Sequence, residues 1–170
     1  MGRSEKEKKA LDTALTYLSY RDRTMQEVER HLNEKGFARE EIAETIEFLQ
    51  SCNFLNDQDY CERYIRYGQE KGRGPLRIRQ ELSLKGVEPH MIQRAIEENY
   101  DGHLERELAL MLAEKFIKQE GDGSALDRGA GERSEDQWSK KEKQLARMAR
   151  WLASRGFRSD LVYQIIGRYR

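Results

Sequence analysis

The stretch EKGRGPLRIRQELSLKG, residues 70–86, sets Gly72, Gly74 and Pro75 beside Lys71, Arg73, Arg77, Arg79 and Lys85. Glycines next to cations are the raw material of a phosphate cradle. Such a cradle needs Gly-x-x-x-x-Gly-Lys-Ser/Thr after a strand, so that backbone N–H groups and the lysine converge on phosphate oxygens. That spacing is absent, and nothing upstream reads as a buried strand. A helix start explains more of the residues. Gly74 suits the N-cap, and Pro75 suits the first helical position, where its missing N–H has no partner to lose. Ile78 and Leu82 lie one turn apart on one face, and Gly86 stands where a left-handed residue ends a helix. The spacing predicts a short capped helix, Pro75 to Lys85, carrying charge outward.

Other chemistry is poorly provided for. His31, His90, His103, Cys52 and Cys61 are scattered, without C-x-x-C or H-x-x-x-H spacing, so no metal site is expected. A nucleophilic cysteine needs a positioned histidine, whereas Cys61 falls on an apolar stripe with Tyr64 and Ile65. Carboxylates come in runs such as AREEIAETIE, which read as exposed, and a raised catalytic pKa needs burial. We therefore expect no catalytic residue and no cofactor. A DNA-reading helix is disfavoured by Glu40, Glu41, Glu44 and Glu47 in one candidate helix and by Glu97 and Glu98 in another, since they repel phosphates. Only the segment with Arg158, Gln164, Arg168 and Arg170 could serve there.

The elements that hold these residues follow from a repeat. Leu32 and Gly36 recur fifty residues on as Leu82 and Gly86, and seventy further on as Leu152 and Gly156. Val28, Ile78 and Met148 precede the glycines, and Phe37, Val87 and Phe157 follow them. Ile42, Ile92 and Val162, then Ile46, Ile96 and Ile166, complete the set at one-turn spacing. A further helix precedes each pair, with stripes at Ala10, Leu11, Ala14, Leu15 and Leu18, at Tyr60, Cys61, Tyr64 and Ile65, and at Ala109, Leu112, Ala113 and Phe116. Thr24 with Glu27 is a capping box. Hairpin turns and alternating β-branched runs are missing. The expected fold is all-α and elongated, three tandem three-helix repeats at 1–55, 56–102 and 103–170. A flexible loop is expected near 120–137, where Gly, Ser and charge replace apolar residues.

Of the 170 residues, 36% are charged and 37% hydrophobic, which suits thin cores shared among small modules better than one large core. The charged N-terminus lacks the form of a signal peptide, and no apolar run reaches membrane-spanning length. Cys52 and Cys61, without a secretory signal, read as reduced, buried thiols in the cytoplasm. The zero net charge hides blocks. Residues 27–62 hold ten acids against three Lys/Arg, residues 63–94 eight Lys/Arg against three acids, and residues 140–170 nine against two. Glu27 and Glu29 of the first repeat align with Arg77 and Arg79 of the second, a change of sign at positions read as surface. Such blocks suit a partner surface of mixed charge, or nucleic acid held beside protein.

The middle segment FLNDQDYCERYIRYGQEKGRGPLRIRQELSLKGV resembles the RecX family of bacterial recombinase regulators. The matching elements are Asp57, Tyr60-Cys61, Tyr64, Lys71-Gly72, Gly74-Pro75, Arg77-Ile78, Glu81-Leu82 and Lys85-Gly86. The outer repeats match through YLSYRDRTMQEVERHLNEKGF and LARMARWLASRGFRSDLVYQII. Cys61 departs from the family's usual alanine, and the insertion at 121–135 lengthens the third repeat. The resemblance implies a non-enzymatic protein that binds the RecA recombinase, above all its filament on single-stranded DNA. There it would inhibit ATP hydrolysis, strand exchange and the coprotease activity behind the SOS response. The expected contact set is Arg66, Lys71, Arg73, Arg77, Arg79, Lys85, Arg147 and Arg150, with weak direct DNA binding and no membrane. The alternative is a helical-repeat protein that acts by binding nucleic acid directly, because Arg and Lys serve carboxylate and phosphate alike.

Overall fold

The computed structural model describes residues 5–124 and 134–170. Among them the chain is all-α, without a strand, and its helices fall into three sets of three. The first set is α1 (Glu5–Tyr20), α2 (Met25–Glu34) and α3 (Arg39–Ser51); the second is α4 (Asp57–Glu70), α5 (Pro75–Leu84) and α6 (Pro89–Asn99); the third is α7 (Gly102–Ser124), α8 (Ser134–Ser154) and α9 (Ser159–Arg168). The helix predicted from Pro75 is α5. The loop expected near 120–137 is entered by α7 up to Ser124 and by α8 from Ser134, and residues 125–133 lie outside the described residues.

The repeat spacing works because each copy buries the same side chains. Val28, Ile78 and Met148, and Leu32, Leu82 and Leu152, are fully buried, each contributing roughly 1.5–3 kcal/mol. After them the chain must reverse. Gly36, Gly86 and Gly156 adopt φ of 83°, 78° and 87°, and the N–H of Phe37, Val87 and Phe157 donates to the carbonyl of Leu32, Leu82 and Leu152. This is the Schellman ending, with the left-handed residue closing the orphan carbonyls. Gly72 ends α4 in the same way, and Asn53 (φ 58°) takes the glycine's part after α3. One buried position escaped the apolar pattern. Residues 45, 95 and 165 all point inward, but the first is Thr45, whose hydroxyl donates to the Glu41 carbonyl at 2.7 Å. Ile46 and Ile166 are correspondingly only half-buried, whereas Ile96 is buried.

By compactness the chain divides into two units: Met1–Tyr64 with Gln80–Ala95, and Ile65–Arg79 with Ile96–Arg170. The helices of the middle repeat therefore serve both. The first unit packs Ala14, Val28, Leu32, Ile42, Leu49 and Leu55. In the second, Ala109, Leu112 and Ala113 of α7 meet Met148 and Leu152 of α8 and Leu161, Val162 and Ile165 of α9.

The expectation of two buried thiols needs correction. Cys61 is fully buried on the inner face of α4, but Cys52 is exposed, because it caps the C-terminus of α3 where the helix ends toward solvent. Burial, with the charges of Asp57 and Glu62 adding, pushes the Cys61 thiol up to about 11. Native protein is thus expected to take up one equivalent of iodoacetamide, at Cys52, and a second only on unfolding. Two equivalents taken up under native conditions would show that α4 opens readily.

Candidate functional site

The repeats meet through one arrangement used twice, once within each unit. At the first junction the N-cap of α2 meets the turn between α5 and α6. The Thr24 hydroxyl donates to the Lys85 carbonyl at 2.6 Å, and a Cβ on Gly86 would overlap the Gln26 side chain. At the second junction the N-cap of α5 meets the turn between α8 and α9. Here the N-cap is Gly74, which has no hydroxyl, so its N–H donates to the Arg155 carbonyl at 2.7 Å, and Leu76 N–H donates to the Gly156 carbonyl at 3.0 Å. A Cβ on Gly74 would overlap the Gly156 carbonyl, and one on Gly156 the Arg77 backbone. The glycine of the GRGP stretch is therefore needed for close backbone approach as well as for capping.

The charge at the two junctions differs. Glu27, expected on the surface, is 5% exposed and sits at the centre of the first. It lies 2.9 Å from Arg21, 3.9 Å from Arg23 and 3.8 Å from Lys85, and accepts the Thr24 N–H at 3.1 Å. Burial alone would raise its carboxyl; the Thr24 N–H and the charges of Arg21 and Lys85 outweigh that and hold it below the usual range. Arg23 lies 4.0 Å above the Tyr17 ring, and Lys85 also faces the rings of Tyr60 and Tyr64. Asp57, buried nearby and accepting the Met25 N–H at 2.8 Å, is raised by burial and by the Glu27 charge. Glu27, Asp57 and Glu105 are thus buried carboxylates, contrary to the expectation that the acids lie in exposed runs. All three serve helix starts or ion pairs: Glu105 accepts the Arg158 backbone N–H at 3.2 Å and pairs with its guanidinium at 2.8 Å.

At the second junction, by the repeat spacing, Lys71 stands for Arg21, Arg73 for Arg23, Tyr67 for Tyr17 and Arg155 for Lys85. The cation over the ring is kept, with Arg73 5.3 Å and Lys71 5.6 Å from the centre of Tyr67. The place of Glu27 is taken by Arg77. Arg155 stacks 4.3 Å above Trp151 and donates to the carbonyls of Lys71 and Gly72 at 3.2 and 3.4 Å. Burial and then the like charge of Arg77 lower its pKa. The turn is further fixed by Tyr100, whose hydroxyl donates to the Arg73 carbonyl at 2.9 Å.

Seven of the eight expected contact residues, Arg66, Lys71, Arg73, Arg77, Arg79, Arg147 and Arg150, belong to the second unit. Arg66, Lys71, Arg79, Arg147 and Arg150 are exposed, and Arg73 and Arg77 half-buried. Tyr67 and Leu76 of the same unit, both about half exposed at 45% and 49%, add apolar surface. The eighth, Lys85, belongs to the first unit, where Glu27 and two tyrosines hold it. Sequence reasoning missed Arg155. Its signal was its place one residue before Gly156, matching Lys85 before Gly86. Among the described residues no group of His, Cys, Asp and Glu is arranged to hold a metal ion, and no helix is long and apolar enough to cross a membrane.

Comparison with known proteins agrees with this architecture. Residues 10–49 match the family model for the first three-helix domain of RecX, and residues 56–96 that for the second. The regulatory protein RecX of Actinobacillus pleuropneumoniae is 33% identical over 152 residues, 87% of each chain. That of Legionella pneumophila is 31% identical over 157 residues, 92% of each. The crystal structure of RecX from Lactobacillus salivarius superposes with a TM-score of 0.78 over 97% of both chains, at 26% identity.

Proposed function

Since the chain belongs to the RecX family of regulatory proteins, we propose that it binds RecA and its single-stranded DNA filament and, without enzymatic activity of its own, inhibits the recombinase, ATPase and SOS coprotease activities. The observation that carries this reading is the second unit's set of exposed and half-exposed cations, with Lys71 and Arg73 facing the half-exposed Tyr67 ring, on a scaffold whose own buried carboxylates are engaged in helix caps and ion pairs. Basic side chains beside exposed aromatic and aliphatic surface suit a protein partner, where the apolar groups supply affinity and the charges supply orientation. A filament that carries protein and DNA together offers such a surface.

The test is a titration of the DNA-dependent ATPase of purified RecA. The rate is expected to fall at substoichiometric to equimolar amounts of the protein, which alone hydrolyses no ATP. An unchanged rate at saturation would remove the reading. Direct nucleic-acid action would look different: tight binding to bare single-stranded DNA at physiological salt, a log–log salt slope of about −0.7 per phosphate contact, and no gain from RecA.

A further inference from the structure

The turn that ends the second helix of a repeat occurs three times, and in two of them the start of another helix is seated on it. The Lys85 carbonyl accepts the Thr24 hydroxyl at 2.6 Å, and the carbonyls of Arg155 and Gly156 accept the N–H groups of Gly74 and Leu76 at 2.7 and 3.0 Å. A Cβ on Gly86 or Gly156 would overlap the helix start seated there. The third copy is Lys35-Gly36-Phe37, in the first unit. Gly36 has the same left-handed backbone, at φ 83°, but a Cβ added to it meets nothing within 4 Å. Among the described residues neither the Lys35 nor the Gly36 carbonyl accepts a hydrogen bond. We propose that this turn is a docking surface for the N-terminus of a helix of a protein partner, seated as α2 and α5 are seated on the other two turns.

Three observations define the chemistry of that partner. The open groups of the turn are carbonyls at the C-terminal, negative end of α2, and they call for N–H or hydroxyl donors. A helix N-terminus supplies these, together with the positive end of its own dipole. The same carbonyls, with Asp12 in the adjoining groove, turn phosphate away, so a nucleic acid does not fit. Next, the residue before the glycine is a cation in all three copies: Lys35, Lys85 and Arg155. Lys85 lies 3.8 Å from Glu27, the acid three residues past the N-cap of the helix seated on it, and Lys35 is exposed at the same position. A Ser or Thr N-cap followed three residues on by Asp or Glu is therefore the start that fits. Finally, there is room for the chain that leads into such a helix. At the first junction that chain crosses α4, where Asp22 pairs with Arg63 at 2.9 Å. Thr13 of α1 corresponds to Arg63, and with Thr16, Tyr20, His31 and Lys35 it lines a groove of about 420 Å³, whose Tyr20 is 79% exposed. The open surface thus continues the pattern of the two joints already formed. The inference rests on the reading that the chain binds RecA in taking RecA as the partner.

The experiment compares Gly36→Asn and Lys35→Glu with the wild type, in full-length chain, by thermal unfolding, by sedimentation, by binding to the RecA filament on single-stranded DNA and by binding to bare single-stranded DNA. Asparagine tolerates the left-handed backbone, as Asn53 does at the end of α3, and its side chain at 36 enters open space. The Tm of Gly36→Asn is therefore expected to fall by no more than about 4 °C. The same side chain stands where the partner's helix must approach, so affinity for the filament is expected to fall about ten- to a hundredfold. Lys35→Glu should fold as the wild type does and lose roughly three- to tenfold, since it meets the partner's acid with a like charge. Bare-DNA binding should be unchanged in both. Wild-type affinity for the filament in Gly36→Asn overturns the inference; should that variant unfold early, the exposed change Lys35→Glu decides in its place. A loss confined to bare DNA overturns it in favour of phosphate, and self-association of the wild type that Gly36→Asn abolishes overturns it in favour of a second copy of this chain. If the wild type itself fails to bind the filament, the functional reading falls and takes this one with it; if the wild type binds and the variants bind equally, only the docking surface falls.

Discussion

Gly156→Ala is expected to destabilise the chain by about 2–5 kcal/mol, the sum of a left-handed backbone penalty and overpacking against a neighbour that cannot retreat. The φ of 87° accounts for the first part. The second arises because a Cβ there overlaps the backbone nitrogen and Cβ of Arg77. The equivalent glycines give an internal calibration. Gly36 has nearly the same φ but nothing within 4 Å of the added Cβ, so Gly36→Ala should cost only about 1–2 kcal/mol. Gly86 meets the Gln26 side chain, whose amide end can swing away but whose Cβ cannot, and should fall between them. Urea unfolding of the three variants checks the order. Equal losses at 36 and 156 would mean that the second junction is looser than described.

Glu27→Gln is expected to lower stability at neutral pH by about 1.5–3 kcal/mol, because the amide keeps the cap but loses the charge-assisted bonds that bring Arg21, Arg23 and Lys85 together. The effect depends on pH with a definite sign. The folded pKa of Glu27 lies below its ordinary value of 4.5, so its contribution is complete above that value and is lost as pH falls through the lowered one. The Tm difference between wild type and variant should therefore be constant from pH 7 to about 5 and shrink in more acid solution. Asp57 is shifted the other way and titrates in both proteins, so taking the difference removes most of its part. A difference that stays the same down to pH 3 would show that the carboxylate's charge is not what matters.

Much of the architecture was legible before any coordinates. Leucine, glycine and the apolar residue after it, repeated at intervals of fifty and seventy, marked each helix pair, because a Schellman ending demands that order of side chains locally. The Thr24–Glu27 box was legible for the same reason, as both partners lie within one turn. What could not be read was set by distant contacts. Glu27 looks like any capping glutamate until Lys85 and Arg21 close over it, and burial by a neighbouring repeat leaves no trace in the periodicity of α2. Cys52 and Cys61 are the same residue type nine positions apart, and only the end of α3 makes one exposed. Arg155 carries no apolar signal, and its role comes from carbonyls more than eighty residues away in the chain. The set of exposed cations was visible as a charge block, but charge alone did not say which of them stand around Tyr67 and which, like Lys85, are held inside.

The bond from Thr24 to Lys85 spans 61 residues, and that from Arg155 back to Gly72 spans 83. During synthesis at about 5–20 residues per second, α2 therefore waits roughly 3–12 s before the carbonyl that completes its cap has even been polymerised. The three cations of the first junction do not assemble on Glu27 until the second repeat has left the ribosome, and the second junction waits in turn for α8. Each repeat so becomes fully native only one repeat late, and the nascent chain carries an unfinished edge along its length from the first turn of α2 onward.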